Sequence, residues 1–470
     1  MATLTTTPPP TINAHLVISN TVTAPLNLAM STSFQPAEWD DAFFTLAPNG
    51  TTTLGNLLPQ HIRLQGVSEG VPQTSSATWD FSVLDDITQP VLGVGDHSPE
   101  FQIAVAPAFM YDSEHNFLDT TYQTFGAYAQ NLVRYYDTGG FTAADGMHVS
   151  PSSNVITWWG IYNEPNFNNL DSTQYTNLYN AVVPMMQAAG PDIKFAAVEL
   201  GDYSGLAQSY LPAFVSGVTA HVDVLATHFY STCDQSDSDA TIFLTVPGFA
   251  TEVQNIQAQM QTNPNLASVP VWITENNVNA DYDKGGGISA CNGNTFVLDQ
   301  RGSSAFFAAW RPYVFSQFAK VGVQALYHWD FGADAQYGEV DYNNGNLQLS
   351  YWVDYWLARM FPAASGANIL QLTNDDANVE VLAAQNTDGS VVIMLANHDV
   401  ASQTDNNGPG APQTASVDFS ALGNFSSASL LTMDAGTSVS TGPVASSVTA
   451  TSPITISLNG YGVAFLTLTK

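Results

Sequence analysis

The sequence has 470 residues, of which 45% are hydrophobic and 11% aromatic, which is enough apolar material for sizeable cores. Only 11% of the residues are charged, and 41 acidic against 9 basic residues give a formal net charge of −32. Nucleic acids and anionic membrane surfaces are bound by clustered Lys and Arg, so this composition argues against both as partners. No apolar run reaches the roughly 18 residues of a transmembrane helix. The composition predicts an acidic, soluble, globular protein.

The first ten residues have neither the basic start nor the apolar centre of a signal peptide, and residues 1–10 are predicted to be a flexible leader. Scarce Lys and abundant Ser, Thr, Asn and Gln nevertheless favour a secreted, extracellular protein. Two cysteines, Cys233 and Cys291, allow one disulfide at most. They lack the C-x-x-C spacing of a zinc or redox site, and the histidines show no ligand spacing, so neither a metal nor a cofactor is expected.

Between residues 23 and 362, strand-like runs alternate with segments of helical period. Apolar stripes of helical spacing occur at 122–136, 175–186 and 306–318. Repeated strand–helix units with buried strands predict a parallel sheet, and eight units favour a closed (β/α)8 barrel. The predicted strands are 26–30, 61–65, 101–106, 155–159, 194–198, 222–226, 269–273 and 323–327.

After residue 362 the helical period disappears. Short β-branched runs follow, separated by the turn signals Asp388-Gly389 and Asn459-Gly460. Residues 363–470 are therefore predicted to form an antiparallel β-sandwich domain, and the strand-like run at 11–22 is predicted to join it. The predicted fold class is α/β, a (β/α)8 TIM barrel at 23–362 followed by this β-sandwich.

Two glutamates stand at the carboxyl ends of predicted barrel strands, Glu164 after the fourth and Glu275 after the seventh. In a barrel of this kind the carboxyl ends of the strands form the active face, so both carboxylates would meet there. Two carboxylates about 5 to 5.5 Å apart suit a retaining glycosidase, in which one is the nucleophile and the other the acid and then the base. Close like charges also raise one pKa, which keeps the acid protonated.

Four segments resemble the large (β/α)8-barrel clan of retaining glycoside hydrolases, clan A. The segment 161–166 contains the Asn-Glu-Pro motif, and 272–275 (Trp-Ile-Thr-Glu) resembles the clan's nucleophile strand. The runs 227–230 (Thr-His-Phe-Tyr) and 327–329 (Tyr-His-Trp) resemble its sixth and eighth strands. Within the clan, residues 80–85 are most similar to glycoside hydrolase family 39, which includes β-xylosidases. Residues 54–58 also suit family 79, which includes β-glucuronidases.

The resemblance implies a role for each matching residue. Glu164 corresponds to the acid/base and Glu275 to the nucleophile. Asn163 corresponds to the residue that hydrogen-bonds the sugar 2-hydroxyl, a bond that strengthens in the oxocarbenium-like transition state. The remaining predicted substrate-site residues are Tyr230 beside the nucleophile, Trp329 as an apolar floor, Arg63 as a partner that keeps Glu275 ionised, and His228.

Alternatives remain open for several of these residues. Packing at the barrel mouth is the alternative explanation for Tyr230, Trp329 and Arg63. A hydrogen-bonded core position explains His228 equally well. Cys233 and Cys291 fall in the loops after strands six and seven, which are neighbours in a barrel. A disulfide between them would tie these loops over the site and imply an oxidising compartment, whereas the alternative is two free buried thiols.

These observations predict a retaining glycoside hydrolase that cleaves O-glycosidic bonds in plant or microbial oligo- or polysaccharides, most like a β-xylosidase or β-glycosidase. A transglycosylase or a β-glucuronidase-like enzyme would use the same two glutamates. A non-catalytic carbohydrate-binding protein is the alternative from another class. The expected partner is a carbohydrate, without nucleic acid or membrane, and the sequence does not determine the oligomeric state.

Overall fold

The computed structural model describes residues 11–34, 49–66, 71–95, 97–201 and 206–470. The leader expected at 1–10 lies outside these residues. The strands up to residue 341 are, in chain order, β1 (Ala14–Pro25), β2 (Ala29–Phe34), β3 (Ile62–Gly66), β4 (Gln73–Ser75), β5 (Thr78–Trp79), β6 (Glu100–Ile103), β7 (Phe141–Ala143), β8 (Gly146–His148), β9 (Trp158–Ile161), β10 (Lys194–Leu200), β11 (Val224–Thr232), β12 (Val271–Asn279), β13 (Ala325–His328), β14 (Gly332–Ala333) and β15 (Val340–Asp341).

Eight of these strands close a parallel barrel in the order β2-β3-β6-β9-β10-β11-β12-β13, with β13 paired to β2. The order along the barrel is the order along the chain, as right-handed strand–helix–strand units require. The expected barrel is confirmed, and each of its eight strands overlaps a predicted run, although β11 and β12 end six residues beyond the predicted runs.

Helices cover the outside of the barrel: α1 (Gly50–Asn56), α2 (Ser82–Leu92), α3 (Gln123–Asp137), α4 (Ser172–Ala189), α5 (Leu206–Gly217), α6 (Asp239–Met260), α7 (Ala305–Lys320) and α8 (Leu349–Met360). Helix α4 begins with a capping box, in which the Asp171 carboxylate accepts from the backbone of Thr173 and Gln174 while the Gln174 side chain accepts from the Asp171 amide. Within the described ranges, no helix combines the length and apolar character needed to cross a bilayer.

The barrel interior has an apolar aromatic end and a polar end. Near the amino ends of the strands, the rings of His61, Trp158 and Trp272 pack together, with the His61 and Trp272 centroids 4.4 Å apart. Burial lowers the pKa of His61 to about 4, so this ring is neutral. Toward the carboxyl ends of the strands, charged and amide side chains replace the aromatic ones. The aromatic layer therefore closes the bottom of the polar site described below.

The C-terminal region is a separate sheet of strands β16 (Asn368–Asn374), β17 (Val379–Gln385), β18 (Val391–Asn397), β19 (Gln413–Asp418), β20 (Ser427–Asp434), β21 (Ser446–Val448), β22 (Ile454–Leu458) and β23 (Gly462–Thr469). Strand β1 also belongs to it, antiparallel to β16 and parallel to β19, which makes nine strands in the order β21-β20-β23-β18-β17-β16-β1-β19-β22. Apolar side chains from strands near both ends of this order share one core, so the sheet folds over on itself. The expected fold class, a barrel followed by a mostly antiparallel β domain, is confirmed.

One loop of the sheet domain contacts the barrel where α6 begins. The buried Asp239 carboxylate accepts hydrogen bonds from the backbone amides of Asn407 and Gly408, both at 2.8 Å, and from the Tyr461 hydroxyl at 3.1 Å. The Arg301 guanidinium lies 3.5 Å from the same carboxylate. The sheet domain thereby fixes the segment that leads from β11 into α6.

Removing the Asp239 carboxylate should destabilise the protein, because two backbone amides and the Tyr461 hydroxyl would be left without their buried acceptor. We expect Asp239→Ala to lower the free energy of unfolding by about 3 kcal/mol, measured by guanidinium denaturation. Asp192→Ala, which removes an exposed carboxylate, is the matched control and should change it by less than about 0.5 kcal/mol. Equal effects of the two substitutions would contradict the assigned contact.

Candidate active site

Irregularities in two barrel strands turn additional side chains into the barrel interior. Between β11 and β12 the register advances by one residue on β11, from Thr227 to His228, and by two on β12, from Ile273 to Glu275. Thr274 is thus the extra residue of a β-bulge, a device that re-aims side chains beside active sites. The bulge allows Thr274 and Glu275 both to contact groups inside the barrel.

Glu275 is almost fully buried and held by three groups. Arg63 donates to its Oε1 at 3.0 Å, the Tyr230 hydroxyl donates to its Oε2 at 2.9 Å, and the His228 ring nitrogen Nδ1 lies 3.4 Å from Oε2. Burial raises the pKa of Glu275, while the charges of His228 and Arg63 favour its ionised form. The two oxygens of this carboxylate are therefore fixed in direction, as a nucleophile requires.

Glu164 lies across from Glu275 in the loop after β9, with a quarter of its side chain exposed. Its backbone has the left-handed value φ 43°, and its amide donates to the carbonyl of Glu199 at 3.0 Å. One oxygen each of Glu164 and Glu275 and a ring nitrogen of His228 lie within 4.8 Å of one another. Glu164 is thus the carboxyl nearer to solvent, and Glu275 is the carboxyl nearer to the barrel interior.

His228 connects three carboxylates. Its Nδ1 lies 2.9 Å from Glu164, and its Nε2 lies 3.2 Å from Glu199 on β10. Burial disfavours the charged ring, but the surrounding carboxylates of Glu275, Glu164 and Glu199 outweigh it and raise the pKa of His228 to about 9. The imidazolium can donate from both nitrogens and thus lies between the two glutamates as a fixed positive charge.

Asn163 and Trp329 also lie at this end of the barrel. The side-chain oxygen of Asn163 accepts from Gln102 at 2.8 Å and from Arg63 at 3.2 Å, which directs the amide. Within the described part of the chain the Asn163 amide nitrogen has no hydrogen-bond partner. The Trp329 ring packs against Tyr230, and the Arg63 guanidinium lies 5.8 Å from its centroid. The structure thus brings together all seven predicted catalytic and substrate-site residues.

Two buried acids next to these seven residues, Glu199 and Glu100, are not predicted from the sequence. Both are fully buried inside the barrel, Glu199 near the end of β10 and Glu100 at the start of β6. The criterion that selected Glu164, an acidic residue at the carboxyl end of a predicted strand, also fits Glu199, since the predicted strand ends at Val198. Nothing in the local sequence pattern singles out Glu100.

Cys233 and Cys291 form a disulfide with their Cα atoms 5.9 Å apart, which confirms the expected bridge. Cys233 directly follows β11, and Cys291 lies in the long loop after β12. The Asp281 carboxylate further orders this loop by accepting from the Ser289 hydroxyl and the Cys291 amide. The loops after strands six and seven are therefore joined to each other beside Tyr230.

Among the residues that the structure describes, two clusters hold three potential metal ligands each: Glu164 with His228 and Glu275, and His328 with Glu339 and Asp354. An arginine already pairs with a carboxylate in each cluster. Arg63 lies 3.0 Å from Glu275, and Arg311 lies 3.0 Å from Asp354. Ion pairs therefore account for both clusters, and we assign neither as a metal centre.

Comparison with known proteins supports the resemblance found in the sequence. Residues 138–298, about a third of the chain, match the family model described as glycosyl hydrolase catalytic core. This segment runs from the end of α3 past β12 and contains both Glu164 and Glu275. No curated protein matches the sequence.

Solved glycosidase structures share the fold over almost the whole chain. A GH51 arabinofuranosidase from Xanthomonas axonopodis pv. citri has 13% identity and a TM-score of 0.69, covering 97% of this chain and 100% of its own. A monomeric β-xylosidase from Caulobacter crescentus CB15 has 15% identity and a TM-score of 0.65, covering 97% and 99%. The GH39 enzyme from the same Xanthomonas has 16% identity and a TM-score of 0.61, covering 97% of each chain.

These findings confirm the expected resemblance to barrel-clan glycoside hydrolases, with a family 39 enzyme among the structural neighbours. They also agree with the expected fold, since the structural alignments include the C-terminal sheet domain. The expected enzyme class rests on the catalytic-core match.

The disulfide should stabilise the folded chain by restricting the unfolded one. It closes a loop of 58 residues, for which loop-closure entropy gives about 4 kcal/mol. We expect the double variant Cys233→Ser/Cys291→Ser to lose up to that amount of unfolding free energy in guanidinium denaturation. Thiol titration of the denatured parent should detect free thiols only after reduction; thiols found without reduction would contradict the bridge.

Buried acids and histidines set the pH dependence of stability. Burial raises the pKa of Glu100 to about 8 and that of Asp137 to about 7. The contribution of each carboxyl to folding stability is therefore complete below its pKa in the unfolded chain, near 4, and is lost as pH rises through 7 to 8. His228 acts in the same direction up to about pH 9. Burial lowers the pKa of His61 and His398 to about 4, so their contribution is lost as pH falls from 6.5 toward 4.

Above pH 6 the contributions of Glu100, Asp137 and His228 dominate the pH dependence of stability, so the midpoint of thermal unfolding should rise as pH falls from 8 to 6. It should level off near pH 5, where the contributions of His61 and His398 oppose those of the carboxyls. Differential scanning calorimetry across this range measures it. Glu100→Gln, which is neutral in both states, should weaken the dependence. A midpoint that falls between pH 8 and 6 in the parent would contradict these assignments.

Proposed function

We propose that this protein is a retaining glycoside hydrolase that cleaves O-glycosidic bonds by double displacement, with Glu275 as the nucleophile and Glu164 as the acid/base. The observation that carries the proposal is the approach of the two carboxylates to within 4.8 Å of each other. Retaining enzymes hold the two groups about 5 to 5.5 Å apart, whereas inverting enzymes leave about 6.5 to 9.5 Å for a water molecule. The short separation of Glu164 and Glu275 favours the retaining arrangement.

The surroundings of each glutamate support this division of roles. Glu275 is buried, and Arg63 and Tyr230 fix both of its oxygens, as suits attack on the anomeric carbon. Glu164 is partly exposed, as suits a group that protonates the leaving oxygen and later deprotonates water from solvent.

The position of His228 suits the charge changes of both steps. When Glu275 forms the glycosyl ester it loses its negative charge, and Glu164 gains one by protonating the leaving group. His228 Nδ1 lies 2.9 Å from Glu164 and 3.4 Å from Glu275, so the same imidazolium stabilises the carboxylate before and after the transfer. In the second step Glu164 takes a proton from water, the water oxygen attacks the anomeric carbon, and Glu275 is released as carboxylate.

The amide nitrogen of Asn163, which has no partner among the described residues, is suited to donate to the sugar 2-hydroxyl, because Gln102 and Arg63 already hold the amide oxygen. This bond would strengthen as the 2-hydroxyl becomes more polarised near the oxocarbenium-like centre, and would thus favour the transition state. Trp329 would supply the apolar surface for the ring.

A neutral sugar is the proposed substrate. A uronic acid needs a cation for its carboxylate, and Arg63, the arginine that contacts the catalytic carboxylates, is buried and already bound to Glu275, Glu199 and Asn163. The β-glucuronidase-like alternative is therefore less favoured. Since the compared structures include a β-xylosidase and an arabinofuranosidase, plant-type pentose glycosides are the first substrates to assay.

We also propose that the protein is secreted. The Cys233–Cys291 bridge supports this, because disulfides persist in oxidising compartments.

Aryl glycosides with leaving groups of different acidity separate the two roles. Glu275→Ala should reduce kcat/KM by roughly 10³- to 10⁵-fold on every substrate, because no nucleophile remains. Glu164→Ala should lose as much kcat/KM on natural glycosides, whose sugar or alcohol leaving groups need protonation. It should lose far less on a 2,4-dinitrophenyl glycoside, whose leaving group needs little protonation. Glu114→Ala, at an exposed site, is the control and should match the parent.

Proton NMR of the first-formed sugar decides the stereochemistry, which should be retained. An inverted first product, or a Glu275→Ala variant equal to the parent, would contradict the double-displacement mechanism. If the parent cleaves nothing in a panel of xylosides, arabinosides, glucosides, galactosides and glucuronides, the carbohydrate-binding alternative is favoured. Glycosyl transfer to an added sugar in preference to water would identify a transglycosylase.

A further inference from the structure

We propose that Glu199 is a positioning residue of this site: it shares a proton with Glu100 inside the barrel and, as the charged member of the pair, balances the positive charge of His228 and Arg63 beside the catalytic glutamates. The proposal rests on the proposed function of Glu164 and Glu275 for its catalytic consequence. Its structural part, which carboxylate is charged and what it controls, stands independently of the reaction.

The backbone of β10 is distorted where Glu199 enters the barrel. The pairing with β11 shifts between Ala197 and Leu200, and Val198 and Glu199 adopt left-handed φ values of 80° and 45°. Such a conformation costs about 1 to 3 kcal/mol for each non-glycine residue, and β-branched valine tolerates it least. The Tyr175 hydroxyl holds it in place by accepting from the Val198 amide at 2.8 Å.

The distortion decides which side of the strand Glu199 occupies. Ala196 packs in the barrel interior and Ala197 against the outer helices, so regular alternation would place residue 198 inside and residue 199 outside. Instead Val198 packs in the outer core, and Glu199 lies inside. Gly160 on β9 leaves the necessary space, since a Cβ there would come within 3.1 Å of Glu199 Oε1.

One oxygen of Glu199 is fully used by donors of the site. Its Oε2 accepts from the Thr274 hydroxyl at 2.6 Å and lies 3.2 Å from His228 Nε2 and 3.4 Å from Arg63. These contacts join the bulge residue preceding the proposed nucleophile to both cations. Despite full burial, Arg63 and His228 hold the pKa of Glu199 below its usual value.

The other oxygen of Glu199 indicates the shared proton, because it is buried and has no donor among the described residues. Oε1 of Glu199 and Oε1 of Glu100 are both buried without a donor among the described residues. A hydrogen bond between the two side chains is among the causes that raise the pKa of Glu100. A proton on Glu100 supplies the missing donor and satisfies both atoms, while the Tyr327 hydroxyl donates to the second oxygen of Glu100 at 2.7 Å. Burial and the nearby Glu199 charge raise the pKa of Glu100 to about 8, as this assignment requires.

The pair matters for catalysis through its charge. Arg63 and His228 are positive, and Glu199 and Glu275 are negative. Because Glu100 is neutral, the net charge of these groups around Glu164 is zero. Without the Glu199 charge the same groups would carry an excess positive charge, which favours loss of the proton that Glu164 must donate. Buried unit charges a few ångströms apart interact strongly enough to move a titration by more than one pH unit.

The test compares two isosteric substitutions within the pair. Glu199→Gln removes a charge and should move both limbs of the pH profile of kcat/KM to lower pH by about one unit or more. Glu100→Gln replaces a neutral acid by a neutral amide that can still donate to Glu199, and should leave both limbs within about 0.3 unit of the parent. Glu199→Asp keeps the charge and should restore the limbs toward the parent values. A purely structural role would lower the rate of these variants without this ordered shift.

Histidine titration tests the charge assignment without any catalysis. In ¹⁵N-histidine-labelled protein, with the His228 signal assigned through His228→Asn, the imidazole should titrate near pH 9 in the parent and at least one unit lower in Glu199→Gln. It should be unchanged in Glu100→Gln. An unchanged His228 titration in Glu199→Gln overturns the proposal, even if the parent hydrolyses glycosides by the proposed mechanism.

Two further outcomes are decisive. If Glu199→Gln does not fold, Glu100→Gln alone decides, because a His228 shift in this variant would show that Glu100 carries the charge and would overturn the assignment. If the parent cleaves no glycoside, the proposed function fails, and the NMR comparison still supports or overturns the charge pair.

Discussion

Two buried cations, Arg63 and His228, hold the polar end of the barrel together. The carboxylates of Glu164, Glu199 and Glu275 converge there on a site largely closed to water, where like charges repel strongly. Arg63 lies between Glu275 and Glu199, and His228 contacts all three carboxylates. Because each anion has a cationic neighbour, the site can keep its carboxylates close enough for the proposed double displacement.

The barrel strands depart from regular geometry at the points where they supply these groups. The bulge at Thr274 and the distortion at Val198–Glu199 each turn an extra side chain inward. The two distorted strands, β10 and β12, both pair with β11, so the two irregularities flank this strand. Regular strands would place every second residue inside and could not present Thr274 together with Glu275.

The outer side of the site depends on parts of the chain beyond the barrel strands. The disulfide joins the loops after β11 and β12, and the sheet-domain loop at residues 405–408 holds the start of α6 through Asp239. The segment between Cys233 and Asp239 is thus fixed at both ends, close to Tyr230. The sheet domain therefore contributes to the order of the proposed substrate site, although the residues proposed for catalysis all come from the barrel.

The sequence by itself determined the elements and the two strand-end glutamates. Period-2 and period-3.6 patterns are local, so the eight barrel strands and the main helices could be predicted, and the position of Glu164 and Glu275 at strand ends placed them at one face. Only the tertiary structure decided which charges meet. Glu100 and Glu199 are 99 residues apart in sequence, and they approach each other because β6, β9 and β10 are neighbours in the closed barrel and a backbone distortion reverses the facing of Glu199. Local pattern carries no information about such a reversal, because it is stabilised by contacts from Tyr175, Gly160, Arg63 and His228, which come from other strands and helices.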